Sequence, residues 1–179
     1  MVIIKGSFDA EDEDSLSKSM EGVHAVLTAL GPSTAPTKAP FHPSNTPLAH
    51  AYSRIIKVMH AHSVKRLIAL GTASIKDKND KFSAVFFAMI NGVKTLAYNA
   101  YKDVVAIGDT IRGEEGQDLI WTIVRVPLLN NSESKDVIAG YVGDGRVGPS
   151  LSRAAFAAFV VAELSKNEWT KKAPLISSP

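Results

Sequence analysis

The chain has 179 residues, 45% hydrophobic and 21% charged, with a formal net charge of +2, enough length and apolar content for one domain with a sizeable core. Its basic residues are scattered, the densest spots being Lys65-Arg66 and Lys171-Lys172, so no contiguous basic stripe argues for nucleic acid as a partner. The absence of cysteine excludes disulfides, thiolate nucleophiles and zinc–sulfur sites; with no apolar run of membrane-spanning length and no signal-peptide pattern, the expectation is a soluble, cytoplasmic protein without a membrane partner.

From the N-terminus, Val2-Ile3-Ile4 reads as a short apolar strand leading into the acidic loop Asp9-Ala10-Glu11-Asp12. Asp12 or Asp14 is placed to cap a helix whose apolar positions Leu16, Met20 and Val23 recur at helical spacing, and Gly22 sits where glycine ends such helices. Val23 to Leu30 is a mostly apolar run of strand length, the pattern of a strand covered on both faces of a parallel sheet. Gly31 to Pro47 is a loop carrying Pro32, Pro36, Pro40, Pro43 and Pro47.

Leu48 to His62 places Leu48, Tyr52, Ile55, Ile56 and Met59 on one helical face. Arg66 to Leu70 is a second buried-type strand, ending in Gly71-Thr72-Ala73-Ser74. A helical stretch follows with Phe82, Val85, Phe86, Met89, Ile90 and Val93 as its apolar set. Asn99 is placed to cap a further helix, running to about Arg112, with Ala100, Val104, Ile107 and Ile111 facing inward. Trp121 to Val126 is a third central strand, stopped by Pro127. Val137 to Tyr141 reads as a small strand and Gly143-Asp144-Gly145 as a tight turn; Ser152 caps a helix carrying Phe156, Phe159, Val160 and Leu164, and Leu175-Ile176-Ser177 is a last short strand. Strands alternating with helices in this way predict an α/β fold with a mainly parallel sheet and one domain spanning residues 1–179.

The run Lys5-Gly6…Asp9…Ser15-Leu16…Met20-Glu21-Gly22-Val23-His24-Ala25-Val26 resembles strand 3, helix and strand 4 of atypical short-chain dehydrogenases, nearest to the NmrA-like and biliverdin/flavin reductase B-like branch. Ala61 to Ile68 with Gly71-Thr72-Ala73-Ser74 resembles that family's strand 5, Trp121 to Pro127 its strand 6, and Gly148 to Ala154 the lead into its C-terminal helix. The resemblance implies a Rossmann-like fold, mainly parallel and flanked by helices. It also implies an NAD(P)H-dependent oxidoreductase acting on a small carbonyl, quinone or flavin-type substrate; the alternative is a non-catalytic NmrA-like regulatory or vestigial binding domain. The implied cofactor is NAD(P), with NADP ahead of NAD.

Ligands of open parallel sheets lie outside the C-terminal ends of the strands. The resemblance accordingly implies cofactor contacts at Leu30, Gly31, Pro32 and Ser33, at Gly71, Thr72 and Ala73, and at Val126, Pro127 and Leu128, with Phe8 near the adenine. Ser7 departs from the acidic residue frequent there. Ser74, Tyr98 and Lys102 fit the family's catalytic roles: Tyr98-Asn99-Ala100-Tyr101-Lys102 has the Tyr-x-x-x-Lys spacing, in which the tyrosine gives a proton to the substrate oxygen while the lysine lowers its pKa and holds the ribose. The five histidines lack convergent carboxylates, and Glu11-Asp12-Glu13-Asp14 lacks the glycine and spacing of a calcium loop, so no metal is expected.

The family's first strand, glycine-rich turn, first helix and second strand have no counterpart near this N-terminus. The chain therefore reads as starting at the family's strand 3, with weak or lost affinity for the pyrophosphate. Such a start leaves the edge of Ala25–Leu30 open. Two outcomes are expected: Val2–Ile4 pairs directly with that edge, or another copy of the chain covers it.

Overall fold

The structure, a computed structural model, describes residues 2–8, 12–32 and 39–179. In chain order these form α1 (Glu13–Ser19), β1 (Ala25–Thr28), α2 (Pro47–Ala61), β2 (Arg66–Thr72), α3 (Ala84–Leu96), α4 (Tyr98–Arg112), β3 (Ile120–Val126), β4 (Leu128–Asn130), β5 (Ile138–Gly140), β6 (Ser150–Ser152), α5 (Arg153–Lys166) and β7 (Leu175–Ser177). The main sheet has the order β1-β2-β3-β7-β5. It is parallel from β1 to β7, and only β5 runs antiparallel, against β7. β4 and β6 form a separate two-stranded parallel ribbon that the sequence pattern does not announce.

Alternation along β2 and β3 sends neighbouring side chains to opposite faces. Leu67, Ala69, Trp121 and Ile123 pack with α2 and α4, while Ile68, Val124 and Val126 pack with α5. Helices thus cover both faces, as the mostly apolar composition of these strands requires. α4 approaches the sheet closely because Ile75 wedges between two glycines: a Cβ on Gly71 would lie 2.9 Å from Ile75, and one on Gly108 2.7 Å from it.

The start of α2 is capped from outside. Thr46 precedes it in a left-handed conformation (φ 50°) and makes no side-chain cap. Instead the fully buried Asp103 of α4 accepts from the Leu48 and Ala49 N–H groups at 3.0 and 2.9 Å, and pairs with His42 Nε2 at 2.7 Å. Ser152 caps α5 as expected, accepting from the Ala155 N–H at 2.8 Å.

Several expected elements shift. Val2–Ile4 enters no strand and is largely exposed, so the expected pairing with Ala25–Leu30 does not form. The segment is held to α1 and α2 instead: the Ser7 N–H donates to the Asp12 carboxylate at 2.7 Å, and the Arg54 guanidinium donates to the Phe8 carbonyl. That bond occupies the Asp12 side chain, which makes no cap bond to α1. β1 is confined to four residues and β2 extends to Thr72. Asn99 lies inside α4, which begins at Tyr98, and its side-chain amide donates to the His42 carbonyl. Of the apolar set assigned to α3, only Phe86 is buried, whereas Phe82, Val85 and Val93 are exposed.

Candidate functional site

A cavity of about 190 Å³ lies where the strand ends converge. Pro32, beyond β1, Thr72, Ala73 and Ser74, at the end of β2, and Val126, Pro127 and Leu128, at the end of β3, all line it. Its far wall comes from α3 and α4 through Phe86, Met89, Ile90, Val93, Ala100, Tyr101 and Val104. Seven of the residues expected from the sequence are therefore brought together. Among the described residues no lysine, arginine or histidine lines the cavity. The described lining residues that carry a hydroxyl are Thr72, Ser74 and Tyr101, and the Thr72 hydroxyl accepts from the Ser74 N–H at 3.2 Å.

The remaining expected residues stand elsewhere. Tyr98 is 57% exposed and Lys102 is exposed, and neither lines the cavity. Tyr98 instead stacks on Tyr101, with ring centroids 6.5 Å apart. Tyr101, the tyrosine that does reach the cavity, carries the Lys94 ammonium 5.7 Å from its ring centroid. Gly71 is not an opening toward a ligand, since a Cβ there would also lie 2.7 Å from Ile123. A Cβ on Gly31 would meet Leu70 at 3.1 Å. Phe8 and Leu30 line a different cleft, along the free edge of β1, and Ser33 lies outside the described residues.

Gly143-Asp144-Gly145-Arg146-Val147-Gly148 spells G-x-G-x-x-G, a match that reading the N-terminus alone misses. It lies between β5 and β6 and opens no helix. Four of its six amides are already occupied: Asp144 N–H donates to the Tyr141 carbonyl at 3.2 Å, Arg146 and Val147 N–H donate to Asp144 Oδ1 at 2.9 and 3.1 Å, and Gly148 N–H donates to Ser177 Oγ at 2.9 Å. Burial raises the Asp144 carboxyl pKa, but the backbone donors Arg146, Tyr141 and Val147 outweigh it and hold the group below the usual carboxylate range. The turn binds its own carboxylate where a phosphate cradle would present free N–H groups.

Two buried ion pairs lie outside the cavity, Arg125 with Asp80 near the C-terminal ends of the strands and Arg66 with Glu163 at the start of β2. Arg125 of β3, fully buried, donates to both oxygens of Asp80 at 2.7 and 2.8 Å and to the carbonyls of Ile75 and Ala173. Arg66 of β2 pairs with Glu163 of α5 at 3.0 Å; desolvation lowers its pKa against the opposing pull of Glu163. Among the described residues no group of three or more metal-ligating side chains converges, and no helix is long and apolar enough to cross a membrane.

The donor set fits one end of a dinucleotide. An apolar, cation-free cavity with hydroxyls at strand ends suits an uncharged ring and its ribose. The described residues offer the pyrophosphate no free amide cradle in the glycine-rich turn and no counter-charge at the cavity.

A sequence-family model described as NAD(P)H-binding matches residues 3–167. Among solved structures, the chain is similar to a short-chain dehydrogenase/reductase of Veillonella parvula in complex with NADP, at 16% identity and TM-score 0.73, covering 99% of this chain and 72% of that one. It is also similar to the oxidoreductase ylbE of Lactococcus lactis (17% identity, TM-score 0.70, 98% and 71% covered). A Rossmann-fold NAD(P)-binding family protein of Shigella flexneri is a further likeness (19%, 0.65, 99% and 70%). At these identities the likeness establishes the fold. No curated protein matches the chain.

Proposed function

The chain belongs to the NAD(P)H-binding family, and on that premise we propose that it is an NAD(P)H-dependent oxidoreductase of the NmrA-like, atypical short-chain dehydrogenase kind. The observation that carries this reading is the meeting of three hydroxyl side chains with an otherwise apolar cavity at the strand ends. When bound, the cofactor supplies a hydride. Pro32, Thr72, Ala73 and Val126 to Leu128 would hold its ring end and keep water away from it. Ser74 would orient the substrate oxygen and Tyr101, in place of Tyr98, would give it a proton. The lack of a cation among the described lining residues favours a small uncharged carbonyl or quinone over a phosphorylated flavin, whose charge would be desolvated without a partner there.

A second reading, a non-catalytic binding domain, is favoured by the sealed glycine-rich turn and by the exposure of Tyr98 and Lys102. Nicotinamide fluorescence and absorbance, followed with NADPH and NADH while quinones, flavins and small carbonyls are added, separate the two. The oxidoreductase reading expects weak cofactor affinity together with cofactor oxidation. It expects Tyr101→Phe to lose about 10²-fold in kcat, while Tyr98→Phe leaves kcat unchanged. No oxidation with any acceptor supports the non-catalytic domain, and calorimetric NADPH binding at micromolar concentration overturns the expectation of weak affinity.

The free edge of β1 supports self-association. Among the described residues β1 pairs only with β2, and Leu27 on it is 41% exposed. The extended, apolar Val2–Ile4 segment of a second copy is a strand-forming partner for such an edge. Light scattering is expected to show a dimer that Leu27→Lys dissociates; a monomer at all concentrations overturns this.

A further inference from the structure

A second cleft, larger than the strand-end cavity, lies beside β5. It has a volume of about 550 Å³, between β5 and the C-terminal half of α5, and shares no residue with the strand-end cavity. Its walls include Val137, Ala139 and Phe159 and the Trp169 side chain. Around them stand three cations, Lys135, Arg146 and Lys166. None of the three forms a side-chain hydrogen bond or an ion pair within 4.0 Å among the described residues.

The two carboxylates of the cleft do not balance these charges. Glu163 Oε1 accepts from Arg66 at 3.0 Å, from the Trp169 N–H at 2.9 Å and from the Thr122 hydroxyl at 3.3 Å, so its charge belongs to the buried pair with Arg66. Of the lining carboxylates that leaves Glu168 against three cations. Asp144, outside the lining, accepts from three backbone N–H donors and is also stabilised by the Arg146 charge, so the excess positive charge rests chiefly on Lys135 and Lys166. Apolar walls with an excess of positive charge select a ligand having both an apolar body and an anionic head. A guanidinium among the cations matches the two oxygens of a carboxylate.

We propose that this cleft is a binding site for a small organic monocarboxylate, with its hydrocarbon or aromatic body against Phe159 and Trp169 and its carboxylate among Lys135, Arg146 and Lys166. The site is independent of the oxidoreductase reading, since it uses none of the strand-end residues and needs no cofactor.

The sequence contains two tryptophans, Trp121 and Trp169, so a proton–nitrogen correlation spectrum of the full chain has two indole N–H signals, assigned with Trp169→Phe. Titration with octanoate is expected to move the Trp169 signal saturably and leave that of Trp121 in place. Octanamide, equal in shape but uncharged, is expected to bind at least tenfold more weakly. The exposed pair Lys135→Glu and Lys166→Glu, with folding checked by the unchanged remainder of the spectrum, is expected to weaken octanoate at least tenfold. Equal binding of octanoate and octanamide, equal binding by the charge-reversed chain, movement of both indole signals, or movement of neither each overturns the proposal.

Discussion

At one end of the sheet β1 has a single neighbour, is four residues long, and meets α2 through apolar contacts and one buried hydroxyl pair, Thr28 with Tyr52. Around β3, by contrast, the fully buried Arg125 reaches four acceptors, and Arg66 and Glu163 link β2, β3 and α5. The difference teaches where geometry is held rigidly. A buried guanidinium with one partner missing is so costly that its surroundings have one satisfactory arrangement. The loop from Ile75 to Asp80, adjoining the strand-end cavity, is tied to β3 by such a group. The β1 end has no comparable constraint, and its edge strand is open to a further partner.

The contrast is most directly broken at Arg125. Arg125→Met strands the Asp80 carboxylate and is expected to cost about 3–5 kcal/mol in denaturant unfolding. Adding Asp80→Asn should restore part of that loss, because the unpaired charge is gone. A loss below about 1 kcal/mol would remove the distinction between the two ends.

A smaller effect is expected at the β1 end. Tyr52→Phe deletes one partner of the Thr28 pair and should cost about 1 kcal/mol. It should also change the alkaline behaviour. Burial pushes the Tyr52 hydroxyl up to about 12, against the lowering effect of its hydrogen bond with Thr28, while the unfolded chain titrates near pH 10. The folded pKa is raised, so this contribution is complete below about pH 10 and is lost as pH rises toward about 12. Unfolding curves of the two chains should therefore converge across that window; parallel curves would place alkaline sensitivity elsewhere.

The smallest effect belongs to the turn beside β5. The Asp144 carboxyl is held low in the folded chain, so its contribution is complete above the unfolded carboxyl pKa and falls away as pH drops through the folded value. The difference in Tm between the natural chain and Asp144→Asn is expected to shrink in that acid range. A constant difference would mean that the turn is held by something other than this charge.

Much of the frame was legible before any coordinates. Leu67 to Leu70 is an uninterrupted apolar run and Trp121 to Val126 is mostly apolar, with Thr122 and Arg125 inside it, the pattern of strands covered on both faces. Ser152 before an apolar periodic run is a local cap signal, and a local hydrogen bond fulfils it. The strand-end residues around Thr72 and Pro127 follow from the same logic, since parallel strands present their C-terminal ends to one side. Val2–Ile4 shows the limit. Its strand propensity is genuine, yet pairing depends on where the chain after it is anchored, and here Ser7 and Phe8 bond to the Asp12 carboxylate and the Arg54 guanidinium.

The sequence by itself determined the alternation of strands and helices, the two-sided burial of β2 and β3, and the absence of thiol chemistry, because each depends on residue type and short-range spacing. Tertiary structure decided which tyrosine meets the cavity. Tyr98 and Tyr101 differ by only about 60° around an α-helix, so the docking of α4 through Gly71, Ile75 and Gly108 selects between them. It also decided that a glycine motif with the right letters binds its own aspartate, and that three scattered cations share one cleft beside β5. In each case the deciding interaction joins residues far apart in the chain, and no local pattern records it.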